Sequence, residues 1–229
     1  MVTGRSSSNP FREQDPYSRD PLAASLEFRD WGVVRSYPSG SELFQQGAPA
    51  DDVYFIHQGM VKLVWGEPSG KQTIVGLRWH GCLIGVPAVV TGQPCPTSAV
   101  TLVPSIMERI TAEKFLQRLQ TDPDFAWEIH QIQSREVHEQ LNWLGEMACC
   151  SARSRLRRVF SRLTEVSKVQ KNGTHTRVPL PLKQREMAEL IAVTPEHLSR
   201  LLHELSKNGL LHLQDGCIVI PDTQALDSF

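Results

Sequence analysis

The chain lacks most of the features that would set it apart from an ordinary cytoplasmic protein. Cysteine is scarce, 5 scattered residues in 229, so no disulfide framework is expected. No apolar run approaches the roughly 18 residues that a membrane-spanning helix needs. The first residues lack the apolar stretch of a secretory signal. A cytoplasmic protein with reduced thiols is expected, with no membrane partner. G-x-S-x-G, P-loop and H-E-x-x-H motifs are absent and the carboxylates are scattered, so no catalytic residue is assigned. His80-Gly81-Cys82, with His57 and Cys95 elsewhere, offers ligand chemistry. Metal and haem sites need several converging ligands, and a lone His-x-Cys is ordinarily a surface histidine beside a packed cysteine. No metal and no cofactor is therefore expected, and haem stays only as an alternative.

Charge is nearly balanced, at −1, but not evenly spread. Residues 1–150 hold 12 Lys+Arg and 17 Asp+Glu, a net of −5, whereas residues 151–229 hold 12 and 8, a net of +4. A basic end suits a nucleic-acid-binding module. At this length two modest domains are expected.

What is present centres on Leu182 to Leu211. Met187, Leu190 and Ile191 sit at i, i+3, i+4 and make one apolar stripe. Ala192-Val193 is short enough only for a turn. Thr194 then stands as an N-cap with Pro195 at the first helical position. Leu198, Leu201, Leu202 and Leu205 form the buried stripe of a second helix, which ends at Asn208-Gly209. Glu196, His197, Ser199, Arg200 and His203 are left on the remaining surface. A helix-turn-helix offers the N-terminal part of its second helix to the major groove. Arg200 has the fork to bind guanine O6 and N7, Glu196 accepts from a cytosine amino group, and Ser199 takes a base edge or a phosphate. A helical hairpin inside an unrelated core is the bland alternative. Two short apolar runs across Gln214-Asp215-Gly216 read as a β-hairpin, which makes the whole a winged helix.

Here the sequence resembles the Crp/Fnr family, the cyclic-AMP receptor protein and its relatives, over roughly Leu26 to Pro221. Glu196 to Leu202, E-H-L-S-R-L-L, looks like the family's recognition helix. The likeness implies that Glu196, Ser199 and Arg200 read bases in a TTGA-type half-site, with Lys183, Thr194 and His197 near phosphate. Pro195 departs from members that carry arginine there. The resemblance also implies a homodimer, a palindromic duplex DNA target and contact with RNA polymerase.

Earlier in the chain, Met1 to Pro21 has little to bury and reads as a disordered tail. Leu22 to Trp31 suits a short helix. Val33 to about Ile110 shows short valine-, isoleucine- and aromatic-rich runs punctuated by glycine, the pattern of a small sandwich or barrel. Tyr54 to Leu63, Y-F-I-H-Q-G-M-V-K-L, looks like the signature of the double-stranded β-roll that binds cyclic nucleotides. That likeness places the effector pocket at Ile84, Gly85, Val86, Thr97 and Ser98. In the family a glutamate takes the ribose hydroxyl and an arginine the cyclic phosphate, but Val86 and Thr97 stand at those places. A buried phosphate without a cationic partner is unfavourable. Binding of cyclic AMP in the usual way is not expected. The pocket then holds another effector, is filled by side chains, or is vestigial in an effector-independent regulator. The oxygen-sensing branch holds an iron–sulfur centre on an N-terminal cysteine cluster, and Met1 to Pro21 has no cysteine.

Thr111 to Gln120 reads as a short helix with Phe115, Leu116 and Leu119 on one face. After a break at Asp122-Pro123, Asp124 to about Cys150 reads as a long helix with an apolar stripe from Phe125 to Met147. It resembles the family's dimerisation helix; a single helix packed on its own β-domain is the alternative. Cys149-Cys150 at its end reads as packed small residues or as a redox pair across a two-fold axis. Ser151 to Val169 reads as a helix with Leu156, Val159, Phe160 and Leu163 inward and Arg153, Arg155, Arg157, Arg158 and Arg162 largely outward. The expected class is α+β. Residues 1–21 would be the tail, 22–122 the β-roll, 123–150 the dimerisation helix and 151–229 the winged-helix DNA-binding domain.

Overall fold

The computed structural model describes residues 31–166, 170–172 and 175–221, the side chains of 170–172 and of His175 excepted. The expectations for the tail and for most of the Leu22 to Trp31 helix lie outside the described residues.

The first domain is two antiparallel sheets face to face. One has the order β1 (Val33–Tyr37), β8 (Ser105–Thr111), β3 (Asp52–Gln58), β6 (Leu83–Ile84); the other has β2 (Glu42–Phe44), β7 (Ser98–Thr101), β4 (Met60–Gly66), β5 (Gln72–Trp79). Tyr54, Ile56, Val61, Ile84, Ala99 and Met107 fill the space between them, none more than 6% exposed. Val53 and Phe55, on the opposite face of β3, pack with Phe115, Phe125 and Ile129. β3 is therefore covered on both sides, which is why it reads as an unbroken apolar run. The turn from β3 to β4 requires Gly59. Its φ is +105°, and a Cβ there would lie 2.2 Å from the Ser105 hydroxyl.

One buried acid closes the end of this domain. Glu108, 1% exposed, accepts from the backbone N–H of Trp31 at 2.9 Å and of Gly32 at 2.7 Å, and its other oxygen lies 3.3 Å from His57 Nε2. Burial pushes its carboxyl up, but the His57 bond and the two backbone N–H groups outweigh burial and hold it below the usual carboxylate range. Its stabilising contribution is present above the unfolded-state pKa and is lost as pH falls through the lowered folded value. Glu108→Ala strands two buried donors and is expected to cost about 3 kcal/mol or more in urea unfolding. A change below about 1 kcal/mol, no more than one ordinary hydrogen bond, would contradict this account.

Helix α1 (Val86–Thr91) was not legible in the sequence and starts from Gly85. α2 (Ala112–Thr121) is capped by Thr111, whose hydroxyl accepts from Lys114 N at 3.4 Å. Asp122 caps α3 (Pro123–Cys149), its carboxylate accepting from Phe125 N at 3.1 Å. The apolar stripe of α3 does not serve a single partner. Phe125 and Ile129 are buried against the first domain, whereas Val137, Leu141 and Leu144 are 55%, 63% and 64% exposed. Only the latter set is available to a second chain.

The C-terminal domain packs α4 (Ala152–Val166), α5 (Gln184–Leu190) and α6 (Pro195–Lys207) on a four-stranded sheet. Its order is β11 (His212–Gln214), β12 (Cys217–Ile220), β10 (His175–Pro179), β9 (Gln170–Asn172). Lys171 and Asn172 belong to β9, and Arg177 lies in β10, which pairs with β12. Backbone pairing overrides their polar composition. Asp215 and Gly216 join β11 to β12 with φ of +50° and +69°, as a two-residue hairpin turn demands.

The arginines of α4 are less outward than their spacing suggests. Arg158 pairs with Glu146 of α3 at 2.6 Å and Arg162 pairs with Glu139 of α3. Arg153 meets Glu204 of α6 at 3.0 Å. Arg155 donates to the carbonyls of Cys150 at 2.7 Å and Ile191 at 2.9 Å. One guanidinium thus ties the end of α3 to the turn before α6. The domains also touch through the β4–β5 hairpin. Lys62 Nζ donates to Glu186 Oε1 at 2.6 Å, and the Thr73 hydroxyl donates to the Glu189 carbonyl at 3.0 Å.

Candidate nucleic-acid interface

Leu198, Leu201, Leu202 and Leu205 are 0%, 7%, 7% and 0% exposed, which fixes the rotation of α6. The Thr194 hydroxyl accepts from His197 N at 3.2 Å and supplies a partner for one of the helix's orphan N–H groups. With the leucines inward, Glu196, His197, Ser199, Arg200 and His203 face outward. Ala192, in the turn, takes a left-handed φ of +53°, which directs α6 across α5.

A shallow cleft runs between the N-terminal ends of the two helices, lined by Gln184, Arg185, Pro195, Glu196, Ser199 and Arg200. The structure therefore brings Glu196, Ser199 and Arg200 to one edge. Lys183, Thr194 and His197 are exposed at the helix starts flanking it. Sequence reasoning missed Gln184 and Arg185. Arg185, 83% exposed at its side chain, pairs with Glu189 at 3.0 Å; its signal is a basic residue in the first turn of α5, level with the start of α6. Glu196 is held below its usual carboxylate range by its own backbone N–H, the Thr194 hydroxyl and, more weakly, the Arg200 charge, against the small effect of desolvation. Ionised, it is an acceptor only, the state that suits a cytosine amino group.

The residues assigned to an effector pocket are not gathered into one wall. Ile84 belongs to the core between the sheets, while Val86, 1% exposed, packs into the cluster of Phe115 and Phe125. Gly85 turns the chain between them at φ +93°, where a Cβ would lie 2.6 Å from the Asp52 carbonyl oxygen. Thr97 and Ser98 are half-buried at the start of β7, and the Ser98 hydroxyl accepts from Gln46 N at 2.9 Å. Tyr54, whose hydroxyl donates to the Leu43 carbonyl at 3.3 Å, is pushed up to about 12 by burial and by Asp52, so it stays neutral between the sheets. Among the described residues no group of three or more His, Cys, Asp and Glu converges as a metal site. Cys149 and Cys150 are both exposed, and neither is in a disulfide among the described residues.

Comparison with known proteins matches residues 34–122 to the cyclic nucleotide-binding domain and residues 154–229 to the Crp-like helix-turn-helix domain. The chain belongs to the Crp/Fnr family. Crp/Fnr relatives include the CRP-like cAMP-activated global transcriptional regulator of Mycobacterium tuberculosis, 21% identical over 190 residues, which cover 83% of this chain and 84% of that one. Among solved structures, FixK2 from Bradyrhizobium japonicum superposes with a TM-score of 0.75 at 18% identity, covering 86% of this chain and 96% of that one. The c-di-GMP responsive global regulator CLP of Xanthomonas campestris gives 0.73 at 21%, covering 84% and 95%. This Crp/Fnr protein is a DNA-binding transcription regulator and not an enzyme. No helix among the described residues is long and apolar enough to cross a membrane.

Proposed function

We propose that this regulator acts in the cytoplasm as a homodimer that reads a palindromic duplex. Each α6 enters a major groove, with Glu196, Ser199 and Arg200 on base edges and Lys183, Thr194 and His197 on phosphates. Bound at its site, the dimer meets RNA polymerase. The observation that carries this reading is the outward edge of α6 beside a buried leucine stripe. The exposed Val137, Leu141 and Leu144 support the dimer, because DNA readers of this docking type pair two half-sites about one helical turn apart. Selection of bound duplexes from a random pool with purified protein is expected to return an inverted repeat with a guanine in each half. Recovery of asymmetric or unrelated sequences would refute it.

Control does not run through cyclic AMP held by the usual anchors, and the protein carries no haem. Side chains occupy the space between the sheets, and Val86 is a core residue with no charge to offer a ribose or phosphate. Titration calorimetry with cyclic AMP is expected to show no binding in the micromolar range, and the purified protein no Soret band. Micromolar binding or a Soret band would overturn the corresponding half of this reading.

A further inference from the structure

The junction of the two domains forms a half-open cavity of about 220 Å3, below the ~300–1,000 Å3 typical of drug-sized ligand sites. Four elements build it: β5, α3, α4 and α5, the last through Leu190. Its walls carry two indoles, Trp79 from β5 and Trp143 from α3, with Val159 and Leu163 of α4 opposite. Its lining also includes Arg78, Arg135, Arg158 and Arg162 with Glu136 and Glu139; Arg158 is paired with Glu146 and Arg162 with Glu139. Arg78 Nε lies 3.2 Å from Glu136, and Arg162 sits 5.0 Å from the centre of the Trp79 ring. Arg135 is exposed and makes no ion pair among the described residues.

The Trp79 indole N–H is an independent sign. The residue is 7% exposed, and its Nε1 is buried with no acceptor. A buried indole N–H ordinarily has a partner, and one without asks for an acceptor in the adjoining space. The one lining guanidinium without an ion pair among the described residues, Arg135, beside apolar walls favours a carboxylate, which takes two N–H bonds in one plane, over a neutral or cationic guest.

We propose that this junction cavity is a binding site for a small monocarboxylate with an apolar body. The carboxylate meets Arg135 at the rim and the apolar body lies between the indoles and the α4 side chains. The site is separate from the space between the two sheets of the first domain and from the cleft at α6. Because its walls come from both domains and from α3, an occupant bears directly on how the winged helix is held.

The test uses the full chain and two probes, 3-phenylpropionate and octanoate, followed by calorimetry. At least one is expected to bind saturably, once per chain, and the matching neutral amide at least tenfold more weakly. Arg135→Gln, at an exposed position, and Trp79→Phe, which keeps a ring but removes the N–H, are each expected to weaken binding threefold or more. Far-ultraviolet circular dichroism and the unfolding midpoint verify that both variants fold. The proposal is overturned if neither acid binds up to millimolar concentration, if amide and acid bind alike, or if neither variant shifts the dissociation constant. Binding is read without DNA, so its failure leaves the DNA-reading assignment intact.

Discussion

Leu141→Glu combined with Leu144→Glu is expected to make the protein monomeric and to weaken binding to a two-half-site duplex by about 10²- to 10⁴-fold, the usual gain from linking two binding events. The two leucines are 63% and 64% exposed, far from what large apolar side chains at helical spacing achieve in a finished structure. Burying each recovers roughly 1.5–3 kcal/mol. Among the described residues their own chain offers no cover. Another face of α3 is already committed, through Glu136 to Arg78, Glu139 to Arg162 and Glu146 to Arg158. Rotating α3 to hide the leucines would break those pairs. Sedimentation velocity and a gel-shift titration check the result. A double variant that stays dimeric and binds as before would remove the stalk from the account.

Arg200→Ala is expected to cost about 1–3 kcal/mol in binding a selected site, about 5- to 150-fold, and to relax the preference at one guanine per half-site. The side chain is exposed on a helix whose rotation is fixed by four buried leucines, so its loss leaves the fold alone. Lys183→Ala makes the contrast. It should weaken all sequences about equally and reduce the slope of log affinity against log salt by about 1. Competition binding against single-base site variants separates the two. An Arg200→Ala protein with the wild-type base preference would show that α6 reads no guanine through this residue.

The helix-turn-helix was legible because each of its signals is local. Leucines at 198, 201, 202 and 205, the Thr194 cap and the Asp215-Gly216 turn all act within a few residues. The wing was half legible. β9 is Gln-Lys-Asn and β10 ends in proline, so neither shows the unbroken apolar run that marked β12. α1 was hidden because Val86-Pro87-Ala88-Val89-Val90 is an apolar run with no periodicity to choose helix over strand. The division of the α3 stripe was beyond reach of the sequence. Phe125 and Leu141 have the same spacing signal, and only the position of the first sheet distinguishes them. The same holds for Arg155, read as outward yet bonded to two carbonyls. Ile84 and Val86 are two residues apart, but they serve different cores.

The Lys62 and Thr73 contacts to α5 make the β-roll and the DNA reader neighbours within one polypeptide. Any motion that slides the hairpin along α5 must first separate a 2.6 Å ion pair, and Arg185 of the cleft is the residue next to Glu186 on α5. A movement of the β4–β5 hairpin therefore has a short overland route to the cleft at α6, within a single helix. A protein missing its twin would retain that route, though not the second foothold on DNA.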